Sequence, residues 1–276
     1  MTSQKLSASE PAKWIELSAR IGYTAKGIVY LLIGVLAFLA AFNWGGEMTG
    51  SEGAFKAVAA KPLGNIVLFL IGAGLLCYVF WRFIQAIYDP EHDDSGFGSI
   101  GRRLSSFISG LVYGAVAFSA FEIAFEKFFG SSDSGGGGNE EQTEFALSQP
   151  FGRWLVALVG VAIVAYGFYC FYEVIAAKFR RKLNLKSISE ETEKWLMTVA
   201  RFGLFAKGIV STIIGYFLIS AAKSFDSNQT KSTEGALQVI QQQPYGAILV
   251  GIIAVGMVSY GGYYVIQARY RKISPG

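Results

Sequence analysis

The chain has 276 residues, of which 52% are hydrophobic and only 16% are charged, whereas about a quarter of a typical soluble domain is charged. This composition indicates a membrane protein, and the net charge of +4 needs no nucleic-acid partner because a basic side can face acidic lipid headgroups. Two cysteines and one histidine are too few for a bis-histidine haem or a histidine metal cluster.

Six apolar stretches follow one another along the chain, and each is long enough to cross a membrane as a helix. A helix needs about 20 apolar residues to span the bilayer core. The stretches are continuous and rich in alanine, leucine and glycine, so they predict helices rather than alternating strands. They lie at 21–42, 64–87, 104–128, 151–176, 202–222 and 246–268.

A short signature recurs between the two spans of each pair: SEGAF from Ser51, TEFAL from Thr143 and TEGAL from Thr233. Serine and threonine favour helix N-caps, and the glutamate that follows suits the first turn of a helix. Each segment is therefore predicted to form a short helix, capped by its first residue, on the outer side of the membrane.

Lysine and arginine are distributed unequally between the two sides of the predicted membrane. With the N-terminus inside, 18 of them lie on the cytoplasmic side and 6 on the other side. Cytoplasmic segments of membrane proteins carry an excess of basic residues. Both termini are therefore predicted to be cytoplasmic, with Trp14 and Trp195 as interfacial anchors near the starts of two spans.

Three units of two spans repeat along the chain. Arg20, Arg103 and Arg201 each lie seven residues before an aligned glycine, and the second spans begin after KPLG, QPFG and QPYG. Because every unit has two spans, all three insert with the same orientation. The prediction is an all-α integral membrane protein of six transmembrane helices, built as three parallel helical hairpins with pseudo-threefold symmetry about the membrane normal.

These repeats predict the domain organisation. Repeat 2 includes a flexible, acidic loop at 130–144, rich in glycine and serine. The predicted units are a cytoplasmic N-terminal tail at 1–13, repeat 1 at 14–88, repeat 2 at 97–176, repeat 3 at 195–268 and a cytoplasmic tail at 269–276.

The order of these signatures resembles a known bacterial membrane family. Its pattern is R-x6-G on the first helix, then [ST]-E-x-A and P-[LFY]-G before the second helix, over residues 14 to 268. The chain is similar to proteins built from tandem copies of a two-helix domain of unknown function, numbered twelve-oh-six, with three copies here. The resemblance implies a multi-pass protein of the bacterial inner membrane and implies no activity. The middle copy departs from the pattern at Ser109, at Phe145 and in a shortened loop, so exact symmetry is not expected.

Helix length places two sets of recurring polar residues at one depth, the cytoplasmic boundary. From Pro62 to Gln85 there are 23 residues, which is about 35 Å of helix. One interpretation is that the arginines extend to lipid phosphates and cap the last carbonyls of the even-numbered spans. The other is that they converge near the axis and bind an anion or an acidic headgroup. The two sets are Arg20, Arg103 and Arg201 at the starts of odd-numbered spans, and Gln85, Glu173 and Gln267 at the ends of even-numbered spans.

Two further sets recur inside the spans. Lys26 and Lys207 lie deeper than the arginines; they are expected to extend towards the boundary and are candidates for lipid or anion binding. Tyr78, Tyr166 and Tyr260 lie in the inner half of the bilayer, where their hydroxyls form interhelical hydrogen bonds or else line a central cavity as a polar ring. The cysteines Cys77 and Cys170 are predicted to be buried free thiols.

The expected function is that of a non-enzymatic inner-membrane protein of uncharacterised role. It would be a helical scaffold or accessory subunit that binds membrane lipids or a larger membrane complex, and no catalytic residue, metal, cofactor or nucleic acid is predicted. The alternative is a channel or small-solute transporter along the pseudo-threefold axis, and an enzyme acting on a lipid is a third hypothesis. A continuous polar line along the axis would favour the channel, and a dry axis would favour the scaffold.

Overall fold

The structure of the protein is a computed structural model that describes residues 10–88, 97–129, 151–176, 189–224 and 233–271. The elements in these ranges are eight α-helices, six of them long and apolar enough to cross a membrane. The prediction of an all-α protein with six spans is thus confirmed. The helices are α1 (Glu10–Ala41), α2 (Ser51–Ala59), α3 (Gly64–Tyr88), α4 (Phe97–Phe129), α5 (Gly152–Ala176), α6 (Glu190–Ser224), α7 (Thr233–Gln241) and α8 (Gly246–Tyr270).

Short helices α2 and α7 form where the repeated signature predicts them. The predicted cap is wrong for α2, because Gly50 is its N-cap and no side chain makes a capping bond there. The Ala54 amide donates to the Gly50 carbonyl at 3.1 Å, so Ser51 already lies inside the helix. The third predicted short helix, from Thr143, and the acidic loop at 130–144 lie outside the described residues.

A tight turn with one left-handed residue starts the second span of each repeat. Leu63, Phe151 and Tyr245 have φ angles of 61°, 65° and 60°, a conformation that costs a residue with a side chain roughly 1–2 kcal/mol. A glycine follows each of them, and at Gly64 and Gly246 an added β-carbon would collide with a carbonyl of the preceding short helix. The P-[LFY]-G signature therefore encodes the reversal between short helix and span.

The long helices pack as antiparallel neighbours in the order α4, α3, α1, α8, α6, α5. The second span of each repeat contacts the first span of the next, as α3 with α4, α5 with α6, and α8 with α1. Within repeats 1 and 3 the two spans also pack on each other, but no comparable interface joins α4 and α5 in the described ranges. The bundle is an open ring, and we call the gap between α4 and α5 the seam. The pseudo-threefold symmetry stays a prediction.

Close backbone contact explains why two hairpins are closed and one is open. A β-carbon added to Gly22 would lie 2.5 Å from the backbone of Tyr78, and one added to Gly203 would lie 2.6 Å from the Cα of Tyr260. Only glycine permits such an approach. The middle repeat has Ser105 at the equivalent position of α4, so α5 cannot come as close.

A second pair of small residues, one helical turn deeper, acts in the same way. In repeat 1 a β-carbon added to Gly74 of α3 would lie 2.6 Å from that of Ala25 on α1. The middle repeat replaces this pair by Ala162 and Ile108. The extra side-chain volume lies at the position where the two helices of a closed hairpin touch, which keeps the seam open.

We predict that Gly203→Val lowers the melting temperature of the full-length protein in detergent. The valine side chain would collide with the α8 backbone, and overpacking of this kind costs about 1–3 kcal/mol. The matched control is Ser105→Val, at the equivalent and exposed position beside the seam. A thermal melt followed by intrinsic fluorescence should show the loss for Gly203→Val alone, and equal losses would contradict the account of the open hairpin.

Candidate functional site

Tyrosines from five helices meet inside the ring, in the half of the bundle where α1, α4 and α6 begin. We call this half the basic end. Neighbouring helices in a packed bundle lie about 8–10 Å apart, so only long side chains reach the axis of a six-helix ring. Their hydroxyls form three contacts: Tyr30 with Tyr113 at 3.0 Å, Tyr166 with Tyr260 at 3.4 Å, and Tyr260 with Tyr264 at 3.2 Å. Together with Tyr78 these residues form what we call the tyrosine cluster.

Lys26 lies within the tyrosine cluster and is 4% exposed. Its ammonium donates a hydrogen bond to the Tyr78 hydroxyl at 3.0 Å. It also lies 4.1 Å from the ring centroid of Tyr113, 4.3 Å from that of Tyr264 and 4.7 Å from that of Tyr78. Aromatic rings attract a cation through their negative faces. Three rings and one hydroxyl therefore hold the ammonium of Lys26.

Further cations surround Lys26. Arg82, Lys207 and Arg271 all lie close enough to Lys26 for their positive charges to repel it. Lys207 has its ammonium 5.2 Å from the ring centroid of Tyr30. In the described part of the chain, neither lysine has an ion pair with a carboxylate. No described carboxylate is thus paired with Lys26 or Lys207, although buried Glu173 lies in the same end of the bundle.

The polar residues at the ends of the even-numbered spans are all buried. Arg82 donates to the Gln85 side chain at 2.9 Å, and Arg271 donates to that of Gln267 at 2.8 Å. Glu173 accepts a hydrogen bond from the Tyr169 hydroxyl at 3.1 Å. These side chains lie at the basic end, beyond the tyrosine cluster. Their hydrogen bonds connect residues three or four positions apart at the end of each even-numbered span.

No contact joins Arg20, Arg103 and Arg201 to one another among the described residues. Arg20 donates to the carbonyls of Ala268 and Arg269 at 2.5 and 2.7 Å, and its side chain pairs with the Glu16 carboxylate at 2.6 Å. It therefore caps the last turn of α8. Arg103 and Arg201 are exposed and have no hydrogen bond or ion pair to a described residue.

Sequence reasoning did not single out several members of the site. Tyr30 and Tyr113 recur at equivalent positions in repeats 1 and 2, but this match alone assigns them no role. Arg82, Cys170 and Tyr264 also occupy equivalent positions, one turn after the recurring tyrosine of each repeat. Their residue types differ, so the sequence shows no repeat at this position. Cys77 and Cys170 form no disulfide, as predicted, but only Cys170 is buried and Cys77 is half-buried.

Comparison with known proteins agrees with the architecture. The family model described as Domain of Unknown Function (DUF1206) matches the chain three times, at residues 21–89, 104–177 and 202–271. The chain belongs to this family. The three matches confirm the resemblance predicted from the repeated signatures.

One curated relative is similar over almost its whole length. The uncharacterized protein YxxB of Bacillus subtilis (strain 168) is 33% identical over 267 residues, which cover 96% of this chain and 94% of the relative. No solved structure matches the chain at a significant level. Neither the family description nor the name of the relative states an activity.

We predict that Arg20→Gln destabilises the protein, because the last carbonyls of α8 lose a charged donor. Hydrogen bonds to charged groups contribute about 1.5–3 kcal/mol, and partial exposure reduces that to about 1–2 kcal/mol here. The matched control is Arg201→Gln, which removes the same charge at the equivalent position without a described protein partner. Thermal melts of both variants in detergent test this, and an equal shift would mean that the capping bonds contribute nothing.

Proposed function

We propose that the protein is a non-enzymatic, multi-pass protein of the bacterial inner membrane that acts as a helical scaffold and binds acidic lipids around its basic end. The observation that carries this proposal is the outward placement of the recurring basic residues. Arg103 and Arg201 are exposed, whereas the equivalent Arg20 caps the last turn of α8. A guanidinium that lies exposed at the membrane boundary is suited to lipid phosphates, which it binds through paired hydrogen bonds.

Exposed lysine–tryptophan pairs support the same proposal. Lys13 and Trp14 lie near the start of α1, and Lys194 and Trp195 occupy the equivalent positions on α6. All four side chains are exposed. Tryptophan is enriched at the level of the headgroups, and each basic residue near an acidic membrane surface contributes about 1 kcal/mol of attraction. Both pairs lie on the same long helices as the spans, so they hold α1 and α6 at a defined depth.

The apolar core of the opposite end supports a scaffold rather than an open channel. Small and branched side chains of α1, α3, α4 and α8 pack there in one buried apolar cluster. Members of this cluster are Ile33, Ala37, Ala41, Leu68, Ile71, Ala117, Ala120, Ala124, Val250, Ile253 and Ala254. A channel along the axis is the second candidate, because the basic end has a polar interior, but its conduction would require this apolar cluster to separate.

The proposed orientation predicts which loops face the cell exterior. In a background in which Cys77 and Cys170 are replaced by alanine, Gln242→Cys should react with a membrane-impermeant maleimide in intact cells. Ser189→Cys should react only after the cells are lysed, because it lies at the basic end. Both positions are exposed. Labelling of Ser189→Cys in intact cells would reverse the orientation.

We call the exposed arginines Arg103 and Arg201 the rim. Lipid binding at the rim predicts that acidic lipid stabilises the protein in a salt-sensitive manner. The melting temperature in nanodiscs that contain phosphatidylglycerol should exceed that in pure phosphatidylcholine. Replacing Arg103 and Arg201 by glutamine should remove most of the difference, about 1 kcal/mol for each residue, and so should about 0.5 M salt, since exposed charges are screened.

The matched control for this experiment is Lys56→Gln. The Lys56 ammonium already pairs with Glu52 at 2.8 Å, and that hydrogen bond raises the pKa of Lys56, so the lysine is not available to lipid in the same way. The control should keep the full effect of phosphatidylglycerol. An effect that survives in the double arginine variant would overturn the proposal that the rim binds acidic lipid.

A further inference from the structure

The seam exposes positions that are buried in the closed hairpins. On the second spans, Tyr78 is 0% exposed in repeat 1, whereas equivalent Tyr166 is 41% exposed in repeat 2. On the first spans, Ala25 is 5% exposed, whereas equivalent Ile108 is 51% exposed. The surface that closes a hairpin in repeats 1 and 3 thus lies open towards the membrane in repeat 2.

A chain of contacts leads from the seam to the buried lysine. Tyr166, half-exposed at the seam, has its hydroxyl 3.4 Å from that of Tyr260, which in turn lies 3.2 Å from that of Tyr264. The ring of Tyr264 lies 4.3 Å from the Lys26 ammonium. The seam is therefore the lateral side of the tyrosine cluster, reached from the bilayer without crossing a helix.

Lys207 offers hydrogen-bond donors inside the ring, beside Tyr30. It lies on α6, the helix that packs against α5, and it is half-buried. Its ammonium contacts the face of the Tyr30 ring at 5.2 Å and donates no hydrogen bond to any described residue. A lysine ammonium has three donors. The lysine has both the charge and the free N–H groups that an anion requires.

The path from the basic end is filled. The Trp81 indole donates to the Tyr23 hydroxyl at 3.2 Å, and the Arg271 guanidinium lies 4.9 Å from the centroid of the Tyr23 ring. Buried Gln85 and Gln267 lie in the same layer. A soluble anion would have to displace these side chains, whereas a membrane lipid meets the open seam directly.

We propose that the seam is a lateral binding site for one acidic phospholipid, with its acyl chains against α4 and α5 and its phosphate at Lys207 and the tyrosine cluster. Charge complementarity supports this occupant, because neither Lys26 nor Lys207 has an ion pair with a described carboxylate. The apolar character of the seam supports it as well, since Ile108 and Val112 line the exposed face of α4. The seam site and the rim consist of different residues, so the two proposals can be tested independently.

Native mass spectrometry of the full-length protein tests the site. The delipidated protein is mixed with phosphatidylglycerol or phosphatidylcholine of the same acyl chains, and lipid that stays bound is counted. We expect one tightly retained phosphatidylglycerol and weaker retention of phosphatidylcholine. Lys207→Gln should lower the retention of phosphatidylglycerol about tenfold, as expected for the loss of a charged hydrogen bond. Lys207→Arg should preserve it.

A larger side chain in the seam tests whether lipid binds through it. Ile108→Trp should lower retention of phosphatidylglycerol, whereas Leu111→Trp on the outer face of the same helix, which is also exposed, should leave it unchanged. Retention should persist in about 0.5 M salt, because buried charges are screened little, and in the double arginine variant of the rim. Equal retention of the two lipids by the unmodified protein would overturn the proposal. So would equal effects of the two tryptophans, or displacement of the bound lipid by millimolar inorganic phosphate, which would indicate a site for soluble anions.

Discussion

The bundle depends on close approach of adjacent helix backbones, which is possible only where glycine or alanine lies on one of them. At Gly22 and Gly203 the contact partner is the backbone of Tyr78 or Tyr260, a tyrosine whose hydroxyl belongs to the cluster inside the ring. The same contact therefore closes a hairpin and sets the position of a polar side chain. Where Ser105 replaces the glycine, the hairpin opens and its tyrosine, Tyr166, becomes half-exposed.

The buried lysine shows the energetic consequence of this arrangement. Isolated charge in the membrane interior is costly, and residues of this kind most often mark a functional site. Each favourable ring–cation contact stabilises the ammonium by about 0.5–2 kcal/mol, so three rings and the Tyr78 hydroxyl offset part of the cost of burying Lys26. They do so without adding negative charge. A carboxylate would have neutralised the ammonium, whereas tyrosines hold the cation without neutralising it.

Much of the fold could be predicted from the residues, because hydropathy and repetition are additive signals spread over long segments. The six spans and the short helices α2 and α7 follow from them. The cap at Ser51 could not be predicted, because a helix can begin one residue earlier when Gly50 supplies the first carbonyl. The seam depends on single substitutions such as Ile108, whose effect appears only when the opposite helix is known. Arg82 and Tyr264 could not be predicted, because their shared position in the repeat has a different residue type in each copy.

Divergence of the middle repeat has a consequence for the whole ring. Three identical repeats would place three lysines inside the ring, and two like charges about 8 Å apart repel each other by about 2 kcal/mol at an effective dielectric constant of 20. Ser109 removes the third charge. Three identical repeats would also close all three hairpins and isolate the tyrosine cluster from the bilayer. The middle repeat thus both lowers the repulsion and opens the side of the ring. An exactly symmetric chain would lack this lateral opening.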